Sequence, residues 1–198
     1  MSLLQLAILS GGIGAGLGAI MAAAWSVQQR SGNSRWVDAT WTLGTGGVAF
    51  IASMIPIDSG PWPHWRQVAV ALLAACWGLR LGLHIASRNR SIDDDPRYRQ
   101  LTAEWGNDAA LRMFGFLQSQ ALVGTILALS VALAAHNPNP HLRIQDWLGV
   151  FILIGALIGE ATADGQLQRF AADPANRNAV CDVTFVFATR PVNVHAGT

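Results

Sequence analysis

Five apolar blocks separated by short polar stretches dominate the chain, at residues 3–27, 37–57, 68–87, 113–135 and 147–163. A helix needs about 20 such residues to cross the hydrocarbon core of a bilayer. Backbone polar groups in lipid must be satisfied within the segment, so each block is expected to be a helix. The pattern predicts an all-α fold, a polytopic transmembrane bundle of about five membrane helices. Residues 1–182 form a single domain in this reading, and 183–198 an aberrant tail. The first block is uncharged and lacks the basic start of a signal peptide, so it reads as a retained helix. Its small residues at four-residue spacing (Gly12 with Gly16, Gly14 with Gly18) fit close helix packing.

The places where polar residues interrupt the apolar pattern carry the candidate chemistry. At the end of the last block and just beyond it, Glu160, Asp164 and Gln168 lie four residues apart and share a helix face. Carboxylates at a membrane helix end are costly unless they point into protein or a water-filled cavity, which makes this face a site candidate. Asp38 opens the second block beside Thr40 and Trp41; it is either a solvated first-turn acid, favourable against the helix dipole, or part of a pocket wall. Cys76, Arg80, His84 and Arg88 are also spaced by four. Arg80 could snorkel to the surface, but with His84 it favours an inward-facing cavity. Residues 88–106 mix both charge signs. They are either a hydrated connector or, through Asn89, Arg90, Arg97 and Arg99, a phosphate grip. Gln118 and Gln120 fit helix-interface packing, and His136 and His141 read as surface residues in a breaker-rich turn.

Composition agrees with the membrane reading: 52% of the 198 residues are hydrophobic and 13% charged. All thirteen basic residues are arginine. If the blocks alternate in direction, ten arginines fall on one side and only Arg66 and Arg143 on the other, with Arg80 inside. The positive-inside rule then places the amino terminus out and the carboxyl terminus in the cytoplasm. A net charge of +1 argues against a nucleic-acid partner. The two cysteines sit at different depths and the histidines lack ligand spacing, so neither a disulfide nor a metal is expected.

Five motifs in one order carry a resemblance: Val37-Asp-Ala-Thr-Trp-Thr-Leu-Gly, Trp77-Gly-Leu-Arg-Leu, Ser87-Arg-Asn-Arg with Asp95-Pro-Arg-Tyr, Gln118-Ser-Gln-Ala-Leu, and the run from Glu160 through Asp164, Arg169 and Asn176 to Arg177. Together they resemble the bacterial branch of the steroid 5-alpha-reductase-like membrane proteins, over about residues 37–182. The resemblance implies a bundle of about seven helices and NADPH-dependent reduction of a carbon-carbon double bond in a steroid-like or other unsaturated lipid. It implies Asn89, Arg90, Asp164, Arg169, Asn176 and Arg177 as cofactor-binding positions. Trp41, Trp77, Gln120 and Glu160 are expected against the substrate. Steroid-reducing relatives grip the carbonyl with an intramembrane tyrosine and an acidic partner. Here the single tyrosine, Tyr98, reads as a loop residue, so the electrophilic role is expected to fall on Asp38, Arg80 or His84.

After Asp182 the chain departs from the family's pattern, and a frameshift or truncation is expected. Val186-Phe-Ala-Thr189 can be encoded so that a one-base shift reads Tyr-Ser-Arg-His, as relatives continue. A cleft lacking those helices would hold NADPH poorly, and exposed packing faces would favour helix-helix homo-oligomers. The rival readings are an S-adenosylmethionine-dependent methyltransferase of the isoprenylcysteine or phospholipid type, and a non-catalytic membrane remnant.

Overall fold

The computed structural model describes residues 1–57, 62–88, 95–139 and 141–173. Six α-helices follow in order: α1 (Leu3–Ser31), α2 (Val37–Met54), α3 (Trp65–Arg88), α4 (Pro96–Trp105), α5 (Ala109–Ala135) and α6 (Ile144–Ala172). A single 3-10 turn, Gly106–Asp108, joins α4 to α5. No strand occurs among the described residues. The chain divides into two compact units, Met1–Pro138 and Asn139–Thr198. The fold is a polytopic helical membrane bundle.

Sequence signals set the helix ends. Ser2 caps α1 reciprocally: its Oγ accepts from Gln5 N at 3.2 Å, and Gln5 Oε1 accepts from Ser2 N at 2.7 Å. Gly32, at φ +64°, closes α1 by donating its N–H to Gln28 O at 2.9 Å, a left-handed stop that glycine takes without strain. Asp95 and Pro96 start α4 in the same local manner, an N-cap followed by a residue whose missing N–H costs nothing in the first turn.

In the first unit α1, α2, α3 and α5 pack together, with α2 against all three others. Neighbours along α1 and α2 (Ile20 at Gly44, Val48 at Gly16) run in opposite senses. Trp41 and Thr45 of α2 meet Gln120 and Gly124 of α5 in the same sense. The core is narrow. From α1 it takes Leu9, Ile13, Leu17 and Met21 at four-residue spacing, and from α5 Met113, Leu117, Ala121, Ala128 and Ala132. Along α2 and the later part of α5, large apolar residues such as Phe50, Leu122 and Ile126 face outward while alanine and glycine face inward. That arrangement suits lipid, which gives helices no hydrophobic reason to associate and leaves close packing to hold them.

The tightest approach is between α2 and α3. A Cβ placed on Gly46 would lie 2.8 Å from Gly78 Cα, and one on Gly78 would lie 2.9 Å from Gly46 Cα. Only hydrogen at both positions permits this backbone contact.

Four described helices are long and apolar enough to cross a membrane: those covering Leu3–Ser31, Trp65–Ser87, Arg97–Ala135 and Ile144–Phe170. The second apolar block, expected as a fifth, forms α2, which is not among them. Its 18 residues include Thr42, Thr45 and Ser53, all buried. Thr42 and Ser53 donate back to Asp38 O and Ala49 O, satisfying their hydroxyls inside the helix. Surrounded by three neighbours, α2 needs less apolar surface than a lipid-facing span.

His136 departs from its expected surface role. Its Nδ1 and Nε2 lie 2.7 and 2.9 Å from the carbonyl oxygens of Ala132 and Ile55, so the ring ties the ends of α5 and α2 together.

Candidate functional site

Three helices bring polar groups together at the end of the first unit that carries α4. Asp38 stands in the first turn of α2. Asp95 starts α4 by accepting Arg97 N on Oδ1 at 2.9 Å, which sets Arg97 and Tyr98 in the first turn facing α2. Gln120 reaches in from α5, about three turns from its start.

The resulting network has a definite direction. Tyr98 Oη donates to Asp38 Oδ1 at 2.6 Å, and Arg97 Nη2 donates to Asp38 Oδ2 at 2.7 Å and to Asp95 Oδ2 at 3.0 Å. Gln120 Nε2 donates to Tyr98 Oη at 3.4 Å, a long and weak bond. Since the phenolic proton is committed to Asp38, Tyr98 can only accept from Gln120, which fixes that amide's orientation. Gln120 Oε1 is then left buried with no partner. An orphaned acceptor of this kind costs about 1–3 kcal/mol until a donor reaches it. Trp41 Nε1 donates to Gln120 O at 2.8 Å and locks α2 to α5 beside the cluster.

Burial is uneven across the group. Tyr98 is only 4% exposed, with its ring edge against Phe116 at 6.1 Å, whereas the Arg97 side chain is 72% exposed. The ion pair to Asp38 is therefore screened and contributes little by itself. The buried phenol to carboxylate bond is the stronger link. The bond from Arg97 holds the Asp95 carboxyl below the usual carboxylate range, with partial burial working against it.

The structure brings together Asp38, Trp41 and Gln120 of the expected site residues, adds Tyr98, and places Arg97, read from the sequence as part of a candidate phosphate grip, on Asp38 and Asp95. Tyr98 is not in a loop: Asp95 and Pro96 begin a helix there, and the ring is buried. An N-cap aspartate followed by proline is a helix-start signal that would have placed it. Arg80 lies on an exposed face of α3, and Cys76 is exposed with it. Small residues decide that orientation, since Ala71, Ala74, Gly78 and Gly82 form the buried face and Arg80 falls two positions from Gly78. Within the first unit the Arg80 face of α3 is turned away from the packed core. His84 and Trp77 are half-buried on α3.

In the second unit Glu160 and Asp164 are half-buried on α6 and Arg169 is exposed in its last turn. Asn89, Arg90, Asn176 and Arg177 lie outside the described residues, as does the tail beyond Asp182. No cluster of three or more metal-ligating side chains occurs among the described residues.

A search of curated proteins and a search of solved structures returned no match. A family profile does match residues 24–195, that of a protein of unknown function, DUF1295, a family that includes steroid 5-alpha-reductase-like membrane proteins. By that coverage, and as a helical membrane protein, the chain belongs to the DUF1295 family.

Proposed function

We propose that this membrane protein is an NADPH-dependent reductase of a carbon-carbon double bond conjugated to a carbonyl, in a steroid-like or other unsaturated lipid. The observation that carries the reading is the Tyr98 phenol, buried and 2.6 Å from the Asp38 carboxylate. Reducing a conjugated double bond places negative charge on the carbonyl oxygen, and a donor held in a water-poor site stabilises that charge. Tyr98 supplies the O–H. Asp38 orients it, Arg97 fixes the second carboxylate oxygen, and Gln120 supports the phenol oxygen. A carbonyl oxygen entering beside Asp38 would take over the phenolic hydrogen bond, and the buried, unpartnered Gln120 Oε1 would accept from a hydroxyl on the same molecule. Tyr98 on α4 would take the part that steroid-reducing relatives give to a tyrosine with an acidic partner, in place of the Asp38, Arg80 or His84 expected from the sequence.

Asp164 and Arg169 fit the cofactor by chemistry: a carboxylate accepts from ribose hydroxyls, and a guanidinium forks onto phosphate. Bound NADPH would supply the hydride that reaches the carbon distal to the carbonyl. The chain's own part is to hold the carbonyl, withhold water and stabilise charge at its oxygen.

Titrating the detergent-solubilised protein with NADPH and with S-adenosylmethionine tests the reading. Saturable NADPH binding is expected. Tyr98→Phe should leave that affinity unchanged and lower turnover of an α,β-unsaturated ketone about a hundredfold or more, the usual effect of losing one such donor. Saturable binding of the methyl donor alone, or full turnover in Tyr98→Phe, would overturn it.

A further inference from the structure

A second cavity lies on another face of α2. Asp38 and Thr40 are two residues apart and so point in different directions on the helix. Beside Thr40 a space of about 280 Å³ opens between the last turns of α1 and the first turn of α2. Its wall is apolar, from Ile20, Ala24 and Val27. Its other end is polar, from Gln28, Asn33 and Thr40.

Those polar groups are biased towards donation. Gln28 Oε1 already accepts from Gln29 Nε2 at 2.8 Å, and Asn33 Oδ1 accepts from Arg35 N and Nε at 3.0 and 3.1 Å. The bonds from Arg35 set the Asn33 amide and leave its NH2 without an acceptor among the described residues, and in the orientation that bonds Gln29 the Gln28 NH2 has none there either. The Thr40 hydroxyl has no partner there either. No charged side chain lines the space and Arg35 reaches it only through Asn33, so a phosphate or carboxylate inside it would lose hydration without a counter-charge in direct contact. Val27 and Trp36, 59% and 51% exposed, stand at its edge, and an indole suits a boundary between lipid and water.

We infer that this cavity binds an uncharged lipid whose polar end is a carbonyl oxygen, an ester or a ketone. The oxygen accepts from the Gln28 and Asn33 amides, with Thr40 as a third contact, and the hydrocarbon lies along Ile20, Ala24 and Val27. The site does not depend on the reductase reading, because it uses none of Asp38, Tyr98 or Gln120.

The probe is a long-chain fatty acid methyl ester carrying a diazirine near its carbonyl, photolysed with the full-length protein in detergent and mapped by mass spectrometry. Saturable labelling of residues 20–28 and 36–40 is expected. Excess unlabelled methyl ester or long-chain methyl ketone should suppress it at least tenfold, with the stronger competitor naming the carbonyl source. The free fatty acid at pH 8 should suppress it much less. Gln28→Leu should weaken labelling about fivefold, and so, as a separate variant, should Thr40→Val. Ala24→Phe, which fills the space, should abolish it, circular dichroism confirming that each variant keeps its helix content. Labelling spread equally over the lipid-facing side of α5, equal competition by the free acid, or no response in folded Thr40→Val would overturn the inference.

Discussion

Replacing Gly46 with alanine puts a methyl group where the structure has no room for one. The new carbon would stand 2.8 Å from Gly78 Cα and 3.3 Å from Ala74 O, both backbone atoms of α3. Carbon pairs rest at about 3.5–4.0 Å, so α2 and α3 must separate by roughly 1 Å or tilt. Overpacking of this kind costs about 1–3 kcal/mol. The better helix propensity of alanine returns about 0.8–1 kcal/mol, leaving a net loss from near zero to about 2 kcal/mol. Gly47 provides the internal control. Nothing lies within 4 Å of a Cβ there, and the residue is exposed. Gly47→Ala keeps the propensity gain alone and should stabilise. The two variants should therefore differ by about 1–3 kcal/mol with the wild type between them or level with Gly46→Ala. The assay is the midpoint of unfolding by a denaturing detergent, followed by circular dichroism in mild micelles. Equal midpoints for Gly46→Ala and Gly47→Ala would refute a backbone-to-backbone contact between α2 and α3.

Other consequences can be measured in the same assay. Tyr98→Phe removes a charge-assisted bond to Asp38 and should cost about 1.5–3 kcal/mol; no loss would mean that α4 is held by packing alone. Trp41→Phe loses the donor to Gln120 O, worth about 0.5–1.5 kcal/mol, together with part of the indole that packs on the core, so its total cost should exceed that of the hydrogen bond alone. His136→Leu removes the one hydrogen bond that the neutral ring donates to Ala132 O or Ile55 O and should destabilise by about 0.5–1.5 kcal/mol, seen first as faster hydrogen exchange at the end of α5. Because the folded-state pKa of Asp95 is lowered, its contribution is present above the unfolded carboxylate value near 3.9 and is lost as pH falls through the folded value. Wild type should lose more stability between pH 6 and pH 3 than Asp95→Asn, and matching losses would contradict this.

How much of this was legible in the sequence depends on whether a single helix decides the matter. The apolar blocks are set by local hydropathy, and α1, α3, α5 and α6 follow them closely. Their partners are not local. Four-residue spacing groups Cys76, Arg80 and His84 on one side of α3, but it does not say whether that side turns inward. The fit of Gly78 against Gly46 decides it: once these backbones touch, the Arg80 face points away from α2. The same limit hid the Tyr98 site. Charges at residues 88–106 look like a hydrated connector when read along the chain, yet one aspartate and one proline turn the segment into a helix whose first turn meets a carboxylate 60 residues earlier. Asp38 was a candidate because an acid at a membrane helix end requires an explanation. Its partner could not be read from spacing, since Tyr98 Oη reaches Asp38 only after α4 has packed on α5 and α5 has aligned with α2. Residues on one helix can be grouped from period alone, whereas a site assembled from three helices becomes visible only through the contacts that orient them.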